Sequence, residues 1–462
     1  MIGIFLRRGS LTERWPSTPA LPVAIITIIS FALALMLLVW MKIPIWALFL
    51  PPLAILYGLL VIKRPMCGLF VVICVFFVPL RFGAVTLLQL IGVFTCSLVL
   101  IRFLIQKRKL ILGNIFLPIF FLGILIVVSL TFTQDTAITF SMLRKWGFNF
   151  VFYMMLTNLV TRFRDLKLAV WAVLLVASVN ALAGIYFFLT ASGSSFRTSG
   201  LVENANEFGT LAALAVPLAL YHFIYRKDPG RWFHFLLCFV LFGGVVTSVS
   251  RGALISLVVV FVFIAIVERR RMLPISLVLI CAIALGPFLP SYFYKRIETL
   301  DSGIAGTVVL RNESELTVRG HYNKGLIKIW LAHPMLGIGI GNFGHYFVEE
   351  EFNTGQRASK KVAAHNLYLQ TLAEMGVVGF VMLIWLLTVT MRNAVKAWQR
   401  SRDNPERLIY YGGLMMMALT VLIASISGGS ILWEDFWLVI SLTAVSRQVI
   451  EGDAIDEAIT IT

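Results

Sequence analysis

The side chains of this chain that could do chemistry are arginines and histidines between residues 197 and 366. Arg251 lies in a short polar turn, residues 247–252, between two apolar runs. An arginine in such a place is costly unless it is paired, and a guanidinium group can hold a phosphate through two parallel hydrogen bonds. The turn therefore predicts a phosphate-binding arginine. A structural ion pair, or a side chain that extends to water, is the alternative.

Two further arginines are candidate anion ligands. Arg319 precedes a segment with helical apolar spacing, and a helix start offers free backbone N–H groups that suit an anion. Arg197 lies in a stretch rich in serine and glycine. The alternative for Arg319 is an ordinary loop arginine paired with Glu313 or Glu315, and for Arg197 it is a solvated loop.

Histidines are concentrated in the same part of the chain. His365 opens an apolar run, where a neutral imidazole could accept a proton from a hydroxyl nucleophile. His333, followed by Pro334 and a glycine-rich stretch, predicts a helix stop and a tight turn. No pair of histidines has the spacing of a zinc-binding HExxH helix, so we expect no metal and no other cofactor.

The composition indicates what positions these residues. Hydrophobic residues make up 59% of the 462 and charged residues 13%, against about 25% charged in soluble domains. Apolar runs of roughly 20 residues match a hydrocarbon core about 30 Å thick, and they are continuous rather than alternating, which favours helices over a barrel. We predict an all-α polytopic integral membrane protein with roughly 14 transmembrane helices. The predicted spans are 21–40, 44–62, 66–80, 84–101, 111–131, 145–161, 168–190, 208–225, 232–249, 252–267, 273–290, 363–391, 408–427 and 431–448.

The distribution of positive charge predicts the orientation. The net charge is +16, and lysine and arginine concentrate in every second connection, as cytoplasmic loops require. Both termini are then cytoplasmic, and Arg197, Arg251, Arg319 and His365 lie on the outer side. Because this rule accounts for the basic balance, we expect no nucleic acid partner.

Four motifs, in this order, resemble the O-antigen ligase and Wzy-type polymerase superfamily. They are FRTSGLVENANEFGTLAAL at 196–214, SRGALISL at 250–257, RGHYNKGLIKIWLAHPMLGIGIGNF at 319–343 and AHNLYLQTLAEMGVVGF at 364–380. The resemblance implies inverting, metal-independent transfer of a glycan from undecaprenyl diphosphate to an acceptor hydroxyl. The reaction would take place at the periplasmic face of a bacterial inner membrane.

The resemblance also implies roles for residues. Arg251 and Arg319 would hold the diphosphate, and His365 would activate the acceptor. The candidate substrate-binding residues are Arg197, Asn204, Asn366, His321 and Gly339. The implied partners are the undecaprenyl-diphosphate-linked glycan donor, a glycan or lipid A-core acceptor, and the lipid bilayer.

The expected organisation follows from the spans and the motifs. It comprises a cytoplasmic N-terminal segment 1–20, a transmembrane bundle 21–194, an O-antigen ligase-like catalytic region 195–390, C-terminal transmembrane helices 391–450 and a cytoplasmic tail 451–462. The catalytic region includes a large extracytoplasmic loop, 291–362, which we expect to contain short helices, among them an amphipathic one at Tyr322–Ala332.

Two questions stay open at the level of sequence. A ligase and a repeat-unit polymerase use the same donor and share these motifs. A transporter or flippase for lipid-linked oligosaccharides, or a non-catalytic scaffold, would also have many helices. A transporter predicts charges near the middle of the membrane, where Glu374 is the clearest example. We expect Glu374 to pack or pair within the protein rather than to orient His365.

Overall fold

The computed structural model describes residues 50–78, 81–82, 85–190, 197–284, 315–346 and 366–461. These residues are overwhelmingly helical, which confirms the all-α class. The helices are α1 Leu50–Lys63, α2 Pro65–Phe76, α3 Leu87–Ile105, α4 Phe116–Ser129, α5 Thr136–Leu159, α6 Phe163–Thr190, α7 Ala205–Tyr225, α8 Arg231–Ser248, α9 Arg251–Val267, α10 Met272–Ala284, α11 Glu315–Ala332, α12 Leu367–Arg400, α13 Pro405–Ser427 and α14 Glu434–Ile461. A 3-10 turn, Arg269–Arg271, joins α9 to α10.

A two-stranded antiparallel hairpin precedes α3. Strand β1, Arg81–Phe82, pairs with β2, Val85–Thr86, with Arg81 opposite Thr86 and Phe82 opposite Val85. Thr86 then begins α3 with a capping box, in which its side chain accepts from the Gln89 amide and the Gln89 side chain accepts from the Thr86 amide. This reciprocal pair satisfies two of the amides that a helix start leaves free.

Fewer helices among the described residues qualify as membrane spans than the roughly 14 predicted. Each predicted span from 44–62 onwards overlaps a helix, and the span 21–40 lies outside the described residues. Within the described part, six helices are long and apolar enough to cross a membrane, namely α3, α6, α7, α8, α12 and α13. A seventh span results if α9 and the helix after it, bent by 99°, count as one. The predicted total of about 14 is therefore not confirmed. Helix α4, for example, has 14 residues and reaches only about 21 Å.

Burial distinguishes a central helix from lipid-facing ones. In α7, 94% of an apolar 18-residue stretch of the helix is buried inside the protein, whereas in α3 only 17% of such a stretch is buried. Gly412 and Gly413 of α13 admit Tyr221 and Leu218 of α7, since a Cβ at either glycine would overlap these side chains. Apolar side chains left exposed on α3 and α6 suit contact with lipid rather than water. The chain divides into two compact units, residues 1–65 and 66–462, and these helices belong to the second.

A glycine-rich turn after α11 pairs with a break in α12, backbone against backbone. The amide of Gly339 donates to the Glu374 carbonyl at 2.8 Å, and the Val377 amide donates to the Pro334 carbonyl at 2.8 Å. The break is at Gly376, whose φ of 64° and ψ of −168° are accessible essentially to glycine alone. A Cβ on Gly376 would overlap the Met335 carbonyl. The glycines thus allow two backbones to approach closely.

We expect Gly376→Ala to destabilise the protein by about 3 kcal/mol or more, because the substitution adds both a forbidden backbone conformation and an overlap. The matched control is Gly147→Ala in α5, where a Cβ would meet no atom within 4 Å and the exchange should be neutral or slightly stabilising. Thermal unfolding in detergent micelles measures both variants. Equal stability of the two would contradict the paired-backbone interpretation.

Candidate functional site

The turn that carries Arg251 is tight and strained. Helix α8 ends at Ser248, and α9 begins at Arg251. Between them Val249 is in the left-handed region, with φ 48° and ψ 34°, which a β-branched residue rarely adopts. The Ser250 amide donates to the Ser248 hydroxyl at 3.1 Å. The predicted tight polar turn is confirmed, and it presents Arg251 as a half-buried side chain in the first turn of a helix.

Neighbouring helices hold this turn on two sides. A Cβ on Gly209 of α7 would overlap the Ser248 hydroxyl, and a Cβ on Gly252 would overlap the Ser427 hydroxyl at the end of α13. The turn is therefore in contact with the start of α7 and the end of α13. Such packing fixes the backbone that carries Arg251, as a site for a charged ligand requires.

The guanidinium group of Arg197 donates hydrogen bonds to other residues of the chain. Its Nε donates to the Ser248 carbonyl at 2.8 Å, and its Nη2 donates to the Asn206 side-chain oxygen. The next residue, Thr198, donates its amide to the Thr247 carbonyl at 3.3 Å. Arg197 thus attaches the segment before α7 to the Arg251 turn, which is a positioning contact. Its predicted binding of substrate stays a prediction.

The two candidate asparagines begin helices. The Asn204 side chain accepts from the Asn206 amide at 2.8 Å and caps α7. The Asn366 side chain accepts from the amides of Tyr368 and Leu369, both at 3.1 Å, and caps α12. Asparagine is a preferred residue at such positions because its oxygen replaces a missing backbone partner. Asn366 also fixes the point at which the chain enters α12, directly after His365.

The helix that carries Arg319 and His321 begins earlier than predicted. Helix α11 spans Glu315–Ala332 rather than Tyr322–Ala332, so Arg319 is its fifth residue. The expected placement of Arg319 just before a helix start is therefore wrong. The free backbone amides of the first turn belong to the residues that precede Arg319. The helix ends at Ala332, directly before His333, as predicted. His365 lies outside the described residues.

The segment after the helix stop is held by a buried asparagine that sequence reasoning missed. Asn342 is fully buried. Its side-chain oxygen accepts from the Asp135 amide at 3.0 Å, and its Nδ2 donates to the Thr139 hydroxyl at 2.8 Å. Next to it, Gly339 has a φ of 92°, and a Cβ there would lie 2.8 Å from Thr133. Asn342 thus fastens the glycine-rich turn to the start of α5.

A cavity of about 540 Å³ opens beside these elements. Its wall includes parts of α5, the start of α7, the turn at 340–344, the first turns of α12 and the connection 429–435. The carboxylates on this wall are Glu203, Glu207, Glu374, Glu434 and Asp435, and the basic side chain on it is Lys145. The cavity is thus acidic, in contrast to the arginine-bearing turn nearby. No signal in the sequence placed these acids together.

Glu374 pairs within the protein, as the sequence predicted. It is 3% exposed, and its Oε1 accepts from the Phe343 amide at 3.3 Å and from the Gln370 side chain at 3.2 Å. These bonds join α12 to the segment that Asn342 holds. Among the described residues, no three histidine, cysteine, aspartate or glutamate side chains are placed to hold a metal ion together.

The fold and the site define a class of protein: a multi-pass helical membrane protein with a polar site near the ends of several helices. A family model described as O-antigen ligase matches residues 235–384. That segment runs from α8 into α12 and includes the Arg251 turn, the glycine-rich turn and the break at Gly376. The match supports a likeness to the O-antigen ligase-like superfamily and confirms the resemblance for the three motifs that lie within these residues. No curated protein matches the chain.

The bond between Asn342 and Thr139 gives a test of how the site is held. We expect Asn342→Ala and Thr139→Val each to lower stability, with a coupling energy of about 1–2 kcal/mol in the double-mutant cycle. Chemical unfolding in micelles measures the four proteins. Strict additivity of the single effects would show that the two side chains do not act through their mutual bond.

Proposed function

We propose that this chain transfers a glycan from undecaprenyl diphosphate to an acceptor hydroxyl during surface polysaccharide synthesis. The family suggests glycosyl transfer in that process. The observation that carries the proposal is the Arg251 turn, a rigidly packed cationic turn inside the matched segment. The donor's diphosphate is the ligand for which a half-buried guanidinium in that position is best suited.

The proposed reaction needs charge neutralisation and one proton acceptor. The acceptor oxygen attacks the anomeric carbon, and the bond from that carbon to the diphosphate oxygen breaks with inversion. The electron pair leaves with the diphosphate, whose growing charge Arg251 and Arg319 stabilise. His365 takes the proton from the acceptor hydroxyl. Such a mechanism requires a fixed, water-poor site rather than a nucleotide or a metal.

The orientation of the site follows from the basic loops. We place the termini in the cytoplasm and the Arg251 turn at the periplasmic face of a bacterial inner membrane, because the connection 226–231 and the residues 269–271 are strongly basic. These two segments lie at the opposite ends of α8 and α9 from the turn at 249–250. The donor's polyprenyl tail would then lie in lipid while its diphosphate reaches the turn.

Ligase and polymerase activities differ only in the acceptor. Deletion of the chain distinguishes them, since short lipid-bound repeats indicate a missing polymerase and long chains left on the carrier indicate a missing ligase. A transporter is the alternative from another class. The purified protein given a lipid-diphosphate glycan decides this point, because an enzyme releases free lipid diphosphate and a transporter leaves the donor intact.

We expect Arg251→Ala to lower the rate of lipid diphosphate release by about 100-fold or more, the size found when a donor to a developing anion is removed. Arg251→Lys should also fail if the contact is a two-pronged one. The control is Arg226→Ala, which removes an exposed ion pair to Asp228 at 2.9 Å and should leave the rate unchanged. Wild-type activity of Arg251→Ala would refute the phosphate role.

We expect His365→Ala to lose turnover and keep donor binding. In the wild type the rate should fall as pH drops through the range in which imidazole takes up a proton, since the protonated ring cannot act as a base. That limb of the pH profile should be absent from the residual activity of the variant. Loss of folding in His365→Ala, measured by thermal unfolding, would instead favour a structural role.

A further inference from the structure

The acidic cavity beside the Arg251 turn is not used by the proposed chemistry of the donor. Its wall brings Glu203 and Glu207 together with Glu434 and Asp435, and Lys145 is the basic side chain among them. A diphosphate has no hydrogen to donate, whereas carboxylate oxygens on such a wall accept hydrogen bonds. The cavity therefore suits a ligand of different chemistry from that of the Arg251 turn.

Asp435 is the residue of this wall that most needs a ligand. It is 3% exposed, and neither of its carboxylate oxygens has a hydrogen-bond partner among the described residues. Its place in the first turn of α14 would offset part of the cost of ionising it. A buried carboxylate without partners is nevertheless strongly unfavourable, and each such group in a native protein calls for an explanation. Glu374, on the same wall, already has its partners.

The remaining lining suits a sugar. An ionised carboxylate only accepts hydrogen bonds, and a protonated one can also donate, so hydroxyl groups can satisfy either form. Gln89, Asn149 and Gln370 add side chains that both donate and accept, and Trp433 and Phe148 add aromatic surface for the apolar face of a ring. A pocket with a few polar groups and such surface is a usual binding site for a small polar molecule.

The cavity is connected to the Arg251 turn through two elements. Glu207 follows Asn206, whose side chain accepts from Arg197, and Arg197 also donates to the Ser248 carbonyl of the turn. At the end of α13, Ser427 packs on Gly252, and Gly429 already lines the cavity. A ligand in the cavity would thus lie beside a diphosphate at the turn, as transfer between the two requires.

We propose that this cavity binds the acceptor glycan, with Asp435 accepting hydrogen bonds from its hydroxyl groups while the Arg251 turn holds the donor's diphosphate. This inference rests on the proposed function. It assigns the two substrates to adjacent sites, one that carries an arginine and one that is lined by carboxyl groups. Asp435 then determines how well the acceptor binds and has no part in binding the donor.

Steady-state kinetics of the full chain in lipid nanodiscs tests this assignment. Donor and acceptor glycolipids are extracted from a strain that lacks the chain. The concentration of each is varied while the other is kept saturating, and the release of free lipid diphosphate is measured. We expect Asp435→Asn to raise the KM for the acceptor about tenfold or more, as loss of a hydrogen bond to a charged group predicts. The KM for the donor should stay within about twofold, since no donor contact is removed.

Glu268→Gln is the matched control. Glu268 is a buried carboxylate away from the cavity, 5% exposed, and it accepts from the Tyr221 hydroxyl at 3.3 Å. Its exchange should leave both KM values unchanged. A rise in the donor KM of Asp435→Asn with an unchanged acceptor KM, or no change in either, would overturn the assignment of the cavity.

Thermal unfolding separates this inference from the proposed function. The acceptor fraction alone should raise the Tm of the wild type, and Asp435→Asn should lose that shift while its own Tm is not lower than that of the wild type. If the wild type releases no lipid diphosphate, the transferase proposal fails while the shift still tests the cavity. An acceptor-induced shift that is absent in the wild type, or is equal in Asp435→Asn, refutes the cavity assignment even when the enzyme is active.

Discussion

The close pairing of two backbones, the glycine-rich turn after α11 and the break in α12, is the constraint on which the site depends. It requires glycine at both Gly337 and Gly376, since a Cβ at either would overlap the opposite backbone. The Ile338 amide donates a hydrogen bond to the Ala373 carbonyl at 3.2 Å. This bond fixes the position of the turn relative to the first part of α12, which begins after Asn366. That tie positions the backbone directly after His365, although Asn366 is far from the turn in sequence.

A second feature of the site is the separation of charge between neighbouring surfaces. Arginine is placed in the strained turn between α8 and α9, and the carboxylates line the cavity that reaches from α7 to α14. Arg197 and Asn206 connect these two surfaces. In the proposed reaction, a site with little water would screen such groups weakly, so each surface would select for its own ligand. Adjacent surfaces of opposite charge allow an anionic leaving group and a hydroxyl-rich acceptor to be held side by side without competition.

The sequence predicted local features and missed those that depend on distant partners. Apolar runs gave the helices, and His333-Pro334 gave the end of α11, because both signals are contained in a few adjacent residues. The start of α11 was wrong because its first residues, ELTVRGH, include only two apolar side chains, and these lack helical spacing. Asn342 resembled a loop residue, since its partners on α5 are about 200 residues away in the sequence. The acidic cavity was missed for the same reason, because its carboxylates come from several separate segments.

Unfavourable features of the structure are located where the proposed ligands bind. Val249 has a left-handed backbone beside Arg251, at a cost of about 1–2 kcal/mol. Asp435 is a buried carboxyl group whose oxygens have no hydrogen-bond partner among the described residues. The helices require neither cost. Glycine would adopt the left-handed backbone at residue 249 without strain, and asparagine, which is nearly the size of aspartate, would fit at residue 435. Strain and unsatisfied polar groups of this kind are typical of sites in which a ligand completes the structure. Their presence at both the Arg251 turn and the cavity supports one site with two substrates.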